Sequence, residues 1–333
     1  MTRVPVFSAR HVELAVSPGE AVEAVRDGFV AHFHGDWTMP PKVYVTNYPA
    51  GDFRAMPALG GAHALLKWVT SFPGNPARGL PTVAGIVLLS DAETGELRAL
   101  MEAGAVTALR TGAAAVLAAE TLGRSDASTA AVIGAGVNGR AAARTFLARG
   151  RAVSIWDVDQ ARARAAAAEL GAGVAGSLQE ALAADLLVTM TPGHEVLLGD
   201  GSLAPGQHVS LMGADGPGKA EISATELART RKFCDDWEQV VTDLIPKPRM
   251  RLFCDEWEQA SHSGDLFHAV EAGLIDRSDV TQLGAVLAGD APGRQSPKDI
   301  TVFDSTGLAI QDMAIALACM ERADELDLPT LAF

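Results

Sequence analysis

The sequence predicts an α/β protein in which a doubly wound parallel domain is inserted into a discontinuous α+β domain, and three observations predict it. The stretch from Ala130 to Arg140 reads as a buried strand, a glycine-rich turn and the start of a helix. From Thr129 to about Val302 short apolar runs alternate with helical stretches, as in consecutive βαβ units. Before that region strand follows strand, and after it comes one long apolar helix, which belongs with the first part. The boundaries are set at 1–125 plus 306–333 for the outer domain and 126–305 for the inserted one.

The elements follow in order. Residues Ser17 to His34 form an amphipathic helix, with Ser17-Pro-Gly-Glu20 as a capping box, Val22, Val25, Phe29 and Phe33 on one face, and Gly35 as the stop. Lys42 to Thr46, Ala64 to Val69 and Thr82 to Leu89 have the length and content of strands. Asp91 to Gly95 is a turn that returns the chain along Leu97 to Met101, so this part is an antiparallel sheet. An Ala-rich helix from about Ala105 to Leu122 leads to the glycine turn. Beyond it, strands are read at Ala152 to Trp156, Asp185 to Met190 and His208 to Met212, with capped helices at Ser177 to Ala184 and Ser223 to Arg229. The last helix spans Gln311 to Leu326.

One segment is doubled: Lys232-Phe-Cys-Asp-Asp-Trp-Glu-Gln239 recurs as Leu252-Phe-Cys-Asp-Glu-Trp-Glu-Gln259. Two copies cannot build a solenoid, so it reads as a local duplication, and the sequence does not say which copy joins the sheet.

In the glycine turn, Gly134 makes the tight bend, Gly136 lets the backbone approach a pyrophosphate, and Gly139 lets helix pack on strand. The helix that opens at Arg140 points its unpaired N–H groups at the anion. Asp157 stands 23 residues after Gly134 at the end of the next strand, where a carboxylate binds the adenosine ribose hydroxyls. The ends of the later strands, Thr189-Met190-Thr191-Pro192 and Met212-Gly213-Ala214-Asp215, belong at the carboxyl edge where ligands bind. A Rossmann domain for NAD follows, with Asp157 and Asp159 opposing the 2′-phosphate of NADP.

The net charge of −14 argues against nucleic acid and anionic membrane as partners, because both are recognised through clustered Lys and Arg. No run of 18 uncharged apolar residues occurs, and the N-terminus lacks an apolar signal core. Cys234, Cys254 and Cys319 have neither metal-ligand spacing nor an even count, which suits a reducing cytoplasm and predicts no structural metal.

Three further segments set charge among small or apolar neighbours: Leu66-Lys67-Trp68, Thr107-Ala-Leu-Arg110-Thr111 and Gly213-Ala-Asp215. Arg110 lies in an otherwise apolar helix, so it needs an anionic partner, either a ligand or a structural acid.

With Ala55-Met-Pro57, Lys67, Phe72-Pro-Gly-Asn75, Gly79-Leu-Pro81, Thr107 to Thr111, Gly134 to Gly139, Gly213 to Asp215 and Thr301 to Gly307 running into Gln311-Asp312, the chain resembles the ornithine cyclodeaminase/mu-crystallin family over nearly its whole length. The resemblance implies an outer domain that dimerises through its sheet and an NAD-binding Rossmann domain, with a small amino-acid or imine substrate between them. It implies that Lys67 and Arg110 hold the substrate α-carboxylate, that Arg54 faces its side chain, and that Asp215 handles the proton on nitrogen, with Lys67 and Asp215 the catalytic pair. Cofactor contacts are implied for Thr111, Gly134, Ala135, Gly136, Val137, Asn138, Gly139, Asp157, Thr189, Met190, Thr191, Met212, Gly213, Ser305, Thr306 and Gly307. Ornithine cyclodeaminases carry a glutamate where this chain has Arg54, whose charge disfavours the δ-ammonium of ornithine. The resemblance therefore points to an NAD-dependent oxidoreductase like alanine dehydrogenase or a ketimine reductase. The alternatives are an ornithine or lysine cyclodeaminase and a crystallin-like binding protein.

Overall fold

The computed structural model describes residues 3–214, 216, 218–230 and 249–333. Two compact units form, Met1–Ala114 with Leu308–Phe333, and Ala115–Gly307.

The first unit begins with β1 (Arg3–Phe7), α1 (Ala9–Ala15) and α2 (Pro18–His34). The capping box of α2 forms as read, with Ser17 N–H donating to Glu20 Oε2 at 2.9 Å, and Gly35 ends the helix at φ +82°. Val22, Val25 and Phe29 are buried, whereas Phe33, in the last turn, is exposed. The sheet continues through β2 (Trp37–Thr38), β3 (Val43–Asn47), β4 (Gly51–Gly60), β5 (His63–Ser71), β6 (Val83–Asp91) and β7 (Leu97–Glu102). Helix α3 (Ala103–Leu122) follows.

Strand β4 escapes a sequence reading because Pro57 interrupts it. The structure shows why the proline is tolerated: β3 pairs with β4 only as far as Ala55, and β2 pairs only at Leu59 and Gly60, so no strand on that side needs the missing N–H. Side chains alternate across this sheet. Met56, Lys67, Val87 and Met101 share one cross-strand row and are buried. The next row, Val43, Ala55, Trp68 and Ile86, faces the other way, and its large members are exposed. Lys67 is therefore the single cation in an apolar inner row.

The length and hydropathy of α3 alone would let it cross a membrane, but most of it is buried inside the protein, so it is a core helix.

The second unit is an all-parallel sheet. Its strands are β8 (Ala130–Ile133), β9 (Val153–Trp156), β10 (Gly173–Val174), β11 (Leu186–Thr189), β12 (His208–Leu211), β13 (Met250–Cys254), β14 (Val280–Gln282) and β15 (Ile300–Asp304), in the order β10-β9-β8-β11-β12-β15-β13-β14. The order reverses direction between β8 and β11, the switch point at which doubly wound sheets bind ligands. Helices α4 (Val137–Ala148), α5 (Gln160–Leu170), α6 (Leu178–Leu182) and α7 (Ala224–Leu227) lie between strands. Helix α4 starts directly after Gly136, three residues before the expected position, since Gly136 itself is the N-cap. The second copy of the repeat supplies β13, paired with β15 and β14. The first copy, with Cys234, lies outside the described residues.

Returning to the first unit, the C-terminal helix spans Ala309–Glu321, not Gln311 to Leu326. Asp324, Glu325 and Asp327 would sit at the negative end of its dipole, and Pro329 forbids continuation. The helix packs on α2, where a Cβ at Gly28 would stand 3.3 Å from that of Ala314. The chain ends as β16 (Thr330–Ala332), antiparallel to β1.

Candidate functional site

In the first unit, β5 presents Lys67, α3 presents Arg110, and the first turn of the C-terminal helix presents Asp312. Lys67 is 1% exposed and Asp312 0%. Lys67 Nζ lies 2.7 Å from Asp312 Oδ2, and Arg110 Nε 3.5 Å from Asp312 Oδ1. Lys67 also donates to Thr107 Oγ1 at 3.4 Å, and Arg110 Nη1 to Gln311 Oε1 at 3.1 Å. Thr107, Arg110 and Thr111 are three and four residues apart, so one face of α3 carries all three. Thr111 is buried, and its hydroxyl oxygen has no hydrogen-bond partner; Arg110 Nε and Gln311 Nε2 are likewise buried without one. Two buried cations thus share one carboxylate, leaving a surplus positive charge and several unused donors. Burial drives the Lys67 ammonium down to about 8, with Asp312 opposing the shift and the Arg110 guanidinium adding to it.

Arg54 lies on the same sheet face as Lys67, two positions before the Met56 that pairs with it. Its partner is nearer than the sequence reveals: Nε donates to Asp52 Oδ1 at 2.6 Å and Nη2 to Asp52 Oδ2 at 3.3 Å, while the guanidinium lies 5.3 Å from the Tyr44 ring centroid. Asp52 neutralises Arg54, so the repulsion of a substrate ammonium expected from Arg54 is weakened. What the pair withholds is a carboxylate free to accept a second amine.

In the second unit, the glycine turn fits a dinucleotide. Gly134 takes φ +109°, and a Cβ there would come within 2.5 Å of the Met190 carbonyl. A Cβ at Gly139 would collide with the Gly134 carbonyl, while none within 4 Å opposes one at Gly136, leaving open space on the side that a phosphate would approach. No side chain caps the first turn of α4, so its N–H groups at Val137 and Asn138 are free of side-chain competition. Asp157 is buried, accepting from Ala135 N–H at 2.8 Å and Asp159 N–H at 2.8 Å. The Ala135 amide, read from sequence as a cofactor contact, is engaged by Asp157.

The strand-end loops are tied down by acids that the sequence reading missed. Glu221, fully buried, accepts from Thr189 Oγ1 at 2.5 Å, Thr191 N at 2.9 Å, Thr191 Oγ1 at 2.6 Å and Gly213 N at 2.8 Å. Thr189, read from sequence as a cofactor contact, is thus bonded to Glu221 and fully buried. Met190 and Met212 lie at the ends of β11 and β12 beside these clasped loops, Met212 N–H donating to the Thr189 carbonyl at 3.1 Å. Asp255, in the second copy of the repeat, accepts from Ser305 Oγ at 3.0 Å, Thr306 N at 2.8 Å, Thr306 Oγ1 at 3.1 Å and Gly307 N at 2.9 Å. Asp265 receives the backbone N–H of Glu221 and Ile222, and Asp304 that of Leu266. Burial raises the carboxyls of Asp265 and Asp304, the latter to about 8, and their neighbouring acids add to the shift. The repeated Cys-Asp was the one sequence signal for Asp255. Asp215 lies outside the described residues.

Comparison with known proteins gives the family and the fold. The sequence profile of the ornithine cyclodeaminase/mu-crystallin family matches residues 4–327. Alanine dehydrogenase of Archaeoglobus fulgidus is 38% identical over 328 residues, covering 96% of this chain and 94% of that protein. Among solved structures, an archaeal alanine dehydrogenase dimer with bound NAD superposes with a TM-score of 0.88 at 35% identity over 100% of both chains. The Thermococcus litoralis Δ1-pyrroline-2-carboxylate reductase, in complex with NADH and L-proline, gives 0.86 at 26% identity over 99% of this chain and 100% of that one.

Proposed function

Since the chain belongs to the ornithine cyclodeaminase/mu-crystallin family and is an NAD-dependent oxidoreductase of the Cα–N bond of a small L-amino acid or its imine, we propose that Lys67 and Arg110 hold the α-carboxylate of that substrate. One observation carries the assignment: two buried cations from different elements share a single acid, Asp312, so the cluster keeps one positive charge for a ligand. An uncompensated buried charge is costly, and an incoming carboxylate removes that cost while using the spare donors. A guanidinium fork beside a point charge fixes the carboxylate in register.

Gly136, Val137 and Asn138 would face the pyrophosphate and Asp157 the adenosine ribose; bound there, NAD supplies the hydride acceptor or donor. Ser305, Thr306 and Gly307, clasped by Asp255, and Thr191 with Gly213, clasped by Glu221, would shape the remainder of the cofactor site. By the family resemblance, Asp215 exchanges the proton on the substrate nitrogen, the role for which a carboxylate close to the reacting atom is suited. The outer row Val43, Trp68 and Ile86, apolar and exposed, is the sheet face through which a second copy would pack, making a homodimer that works in the cytoplasm.

The test is a panel. The protein is incubated with NAD and L-amino acids, following both NADH and ammonia, and with NADH and cyclic imines. Turnover of alanine or of a cyclic imine is expected, and ornithine should be a poor substrate because Asp52 is already engaged by Arg54. Proline and ammonia from ornithine with no net NADH would replace this reading by a cyclodeaminase, and silence toward every candidate would favour a binding protein.

A further inference from the structure

We propose that Asp312 is a positioning residue for the substrate carboxylate, a built-in counter-ion that keeps Lys67 charged and holds it beside Arg110 at a spacing one carboxylate can span. The inference rests on the assignment of Lys67 and Arg110 to that carboxylate.

The geometry leaves Asp312 few other uses. It is fully buried in the first turn of the C-terminal helix, at the end where the helix dipole favours an anion. Its two oxygens face different cations, Oδ2 toward Lys67 at 2.7 Å and Oδ1 toward Arg110 at 3.5 Å. The neighbouring Gln311 takes Arg110 Nη1 at 3.1 Å, so consecutive residues of one helix turn hold the guanidinium from two sides. The charged groups around Lys67 are Asp312 on the C-terminal helix, Arg110 on α3 and Arg54 on β4, with the neutral Thr107 hydroxyl also on α3. Arg54 brings its own acid, Asp52, so Asp312 alone stands between Lys67 and the cation on α3.

The consequence has a definite sign. Lys67 already loses its proton near pH 8, since burial and Arg110 act against its charge and Asp312 acts for it. Removing the Asp312 charge leaves two like charges side by side in a buried setting, which lowers the Lys67 value further. Lys67 then becomes neutral at the pH at which the wild type still holds a proton there, and the substrate carboxylate loses one of its two partners.

The test is Asp312→Asn, which keeps size and shape. For the wild type, kcat/KM for the amino acid or imine is expected to fall as pH rises through about 8. For Asp312→Asn the fall should begin at least one pH unit lower. KM for the carboxylate substrate should rise about fivefold or more at pH 8 and recover most of that at pH 6.5, with the Kd for NAD unchanged. A merely structural role would not shift the pH limb. Lys67→Arg, whose guanidinium does not titrate in this range, should lose the limb near 8 altogether. A folded Asp312→Asn protein with the wild-type limb and KM overturns the proposal. If Asp312→Asn fails to fold, the double variant Asp312→Asn with Lys67→Met decides: recovery of folding shows that the uncompensated cation was the fault, and continued failure overturns the counter-ion role. Undiminished kcat/KM in Lys67→Ala would instead sink the carboxylate assignment on which the inference stands.

Discussion

Asp255→Ala tests whether the repeat has been recruited to the 305–307 loop, proposed above to shape the cofactor site. In the wild type this buried carboxylate accepts two backbone N–H groups, from Thr306 at 2.8 Å and Gly307 at 2.9 Å, and two hydroxyls, from Ser305 and Thr306. A buried donor left without a partner costs about 1–3 kcal/mol, so the two backbone groups alone set a loss of about 2–6 kcal/mol in stability. The effect on binding is separate. Fixing a freed backbone residue costs about 1–2 kcal/mol, and re-ordering even one residue of the 305–307 loop when NAD binds would raise KM for NAD about tenfold. Thermal unfolding with and without saturating NAD measures the first quantity, and steady-state kinetics at fixed substrate measure the second. The variant should melt lower, respond less to NAD and show its defect in KM for NAD before kcat. Asp255→Asn, which keeps one acceptor oxygen, should fall between. A folded Asp255→Ala protein whose KM for NAD stays within twofold of wild type would refute the reasoning.

Lys67→Ala and Arg110→Ala should each lower kcat/KM about a hundredfold, a few kcal/mol for a charged hydrogen-bond partner, with NAD binding by fluorescence titration retained. Loss of the fold in either variant would assign that residue to the structural ion pair with Asp312. NAD should be preferred over NADP, and Asp157→Ser should move the ratio of kcat/KM toward NADP by ten- to a hundredfold. A charge about 5 Å from the added phosphate repels it by about 1–3 kcal/mol at effective dielectric constants between bulk water and a protein surface. Equal kcat/KM for the two cofactors in the wild type would contradict the role given to Asp157.

How far the sequence could be read depended on the distance over which each signal acts. The glycine turn and the capping box of α2 are local: backbone angles, caps and Cβ contacts are set within a few residues, and both formed where read. The parallel sheet and the antiparallel part of the first sheet followed from the alternation of segments, whereas β1, which makes that sheet mixed by pairing parallel to β7, was not read. Strand β4 was lost because Pro57 reads as a strand breaker, and only the gap between β2 and β3 on its edge makes the proline harmless. The C-terminal helix was carried five residues too far at its end because Ala, Met, Ile and Leu continue to suggest a helix until the acidic run ends it. Lys67 and Arg110 were legible as cations among apolar neighbours. Their shared acid was not, since Asp312 sits near the other end of the chain.

The acids that sequence reading missed answer one physical need. Loops leaving the carboxyl ends of parallel strands carry N–H groups that no ladder can accept, and burial makes each such donor expensive unless something bonds it. A carboxylate has two oxygens and room for about four donors, so one side chain can close a whole loop. Glu221 does this for Thr189, Thr191 and Gly213, and Asp255 for Ser305 to Gly307. Burial, with neighbouring acids adding to it, raises the carboxyls of Asp304 and Asp265, so these two hold their protons more tightly than a solvated carboxylate. In sequence these residues look like solvated surface, because what makes them structural includes donors as far as 32 and 52 positions away. The cation cluster of the first unit is the converse case: two buried cations face one acid, so the charge is not balanced within the cluster.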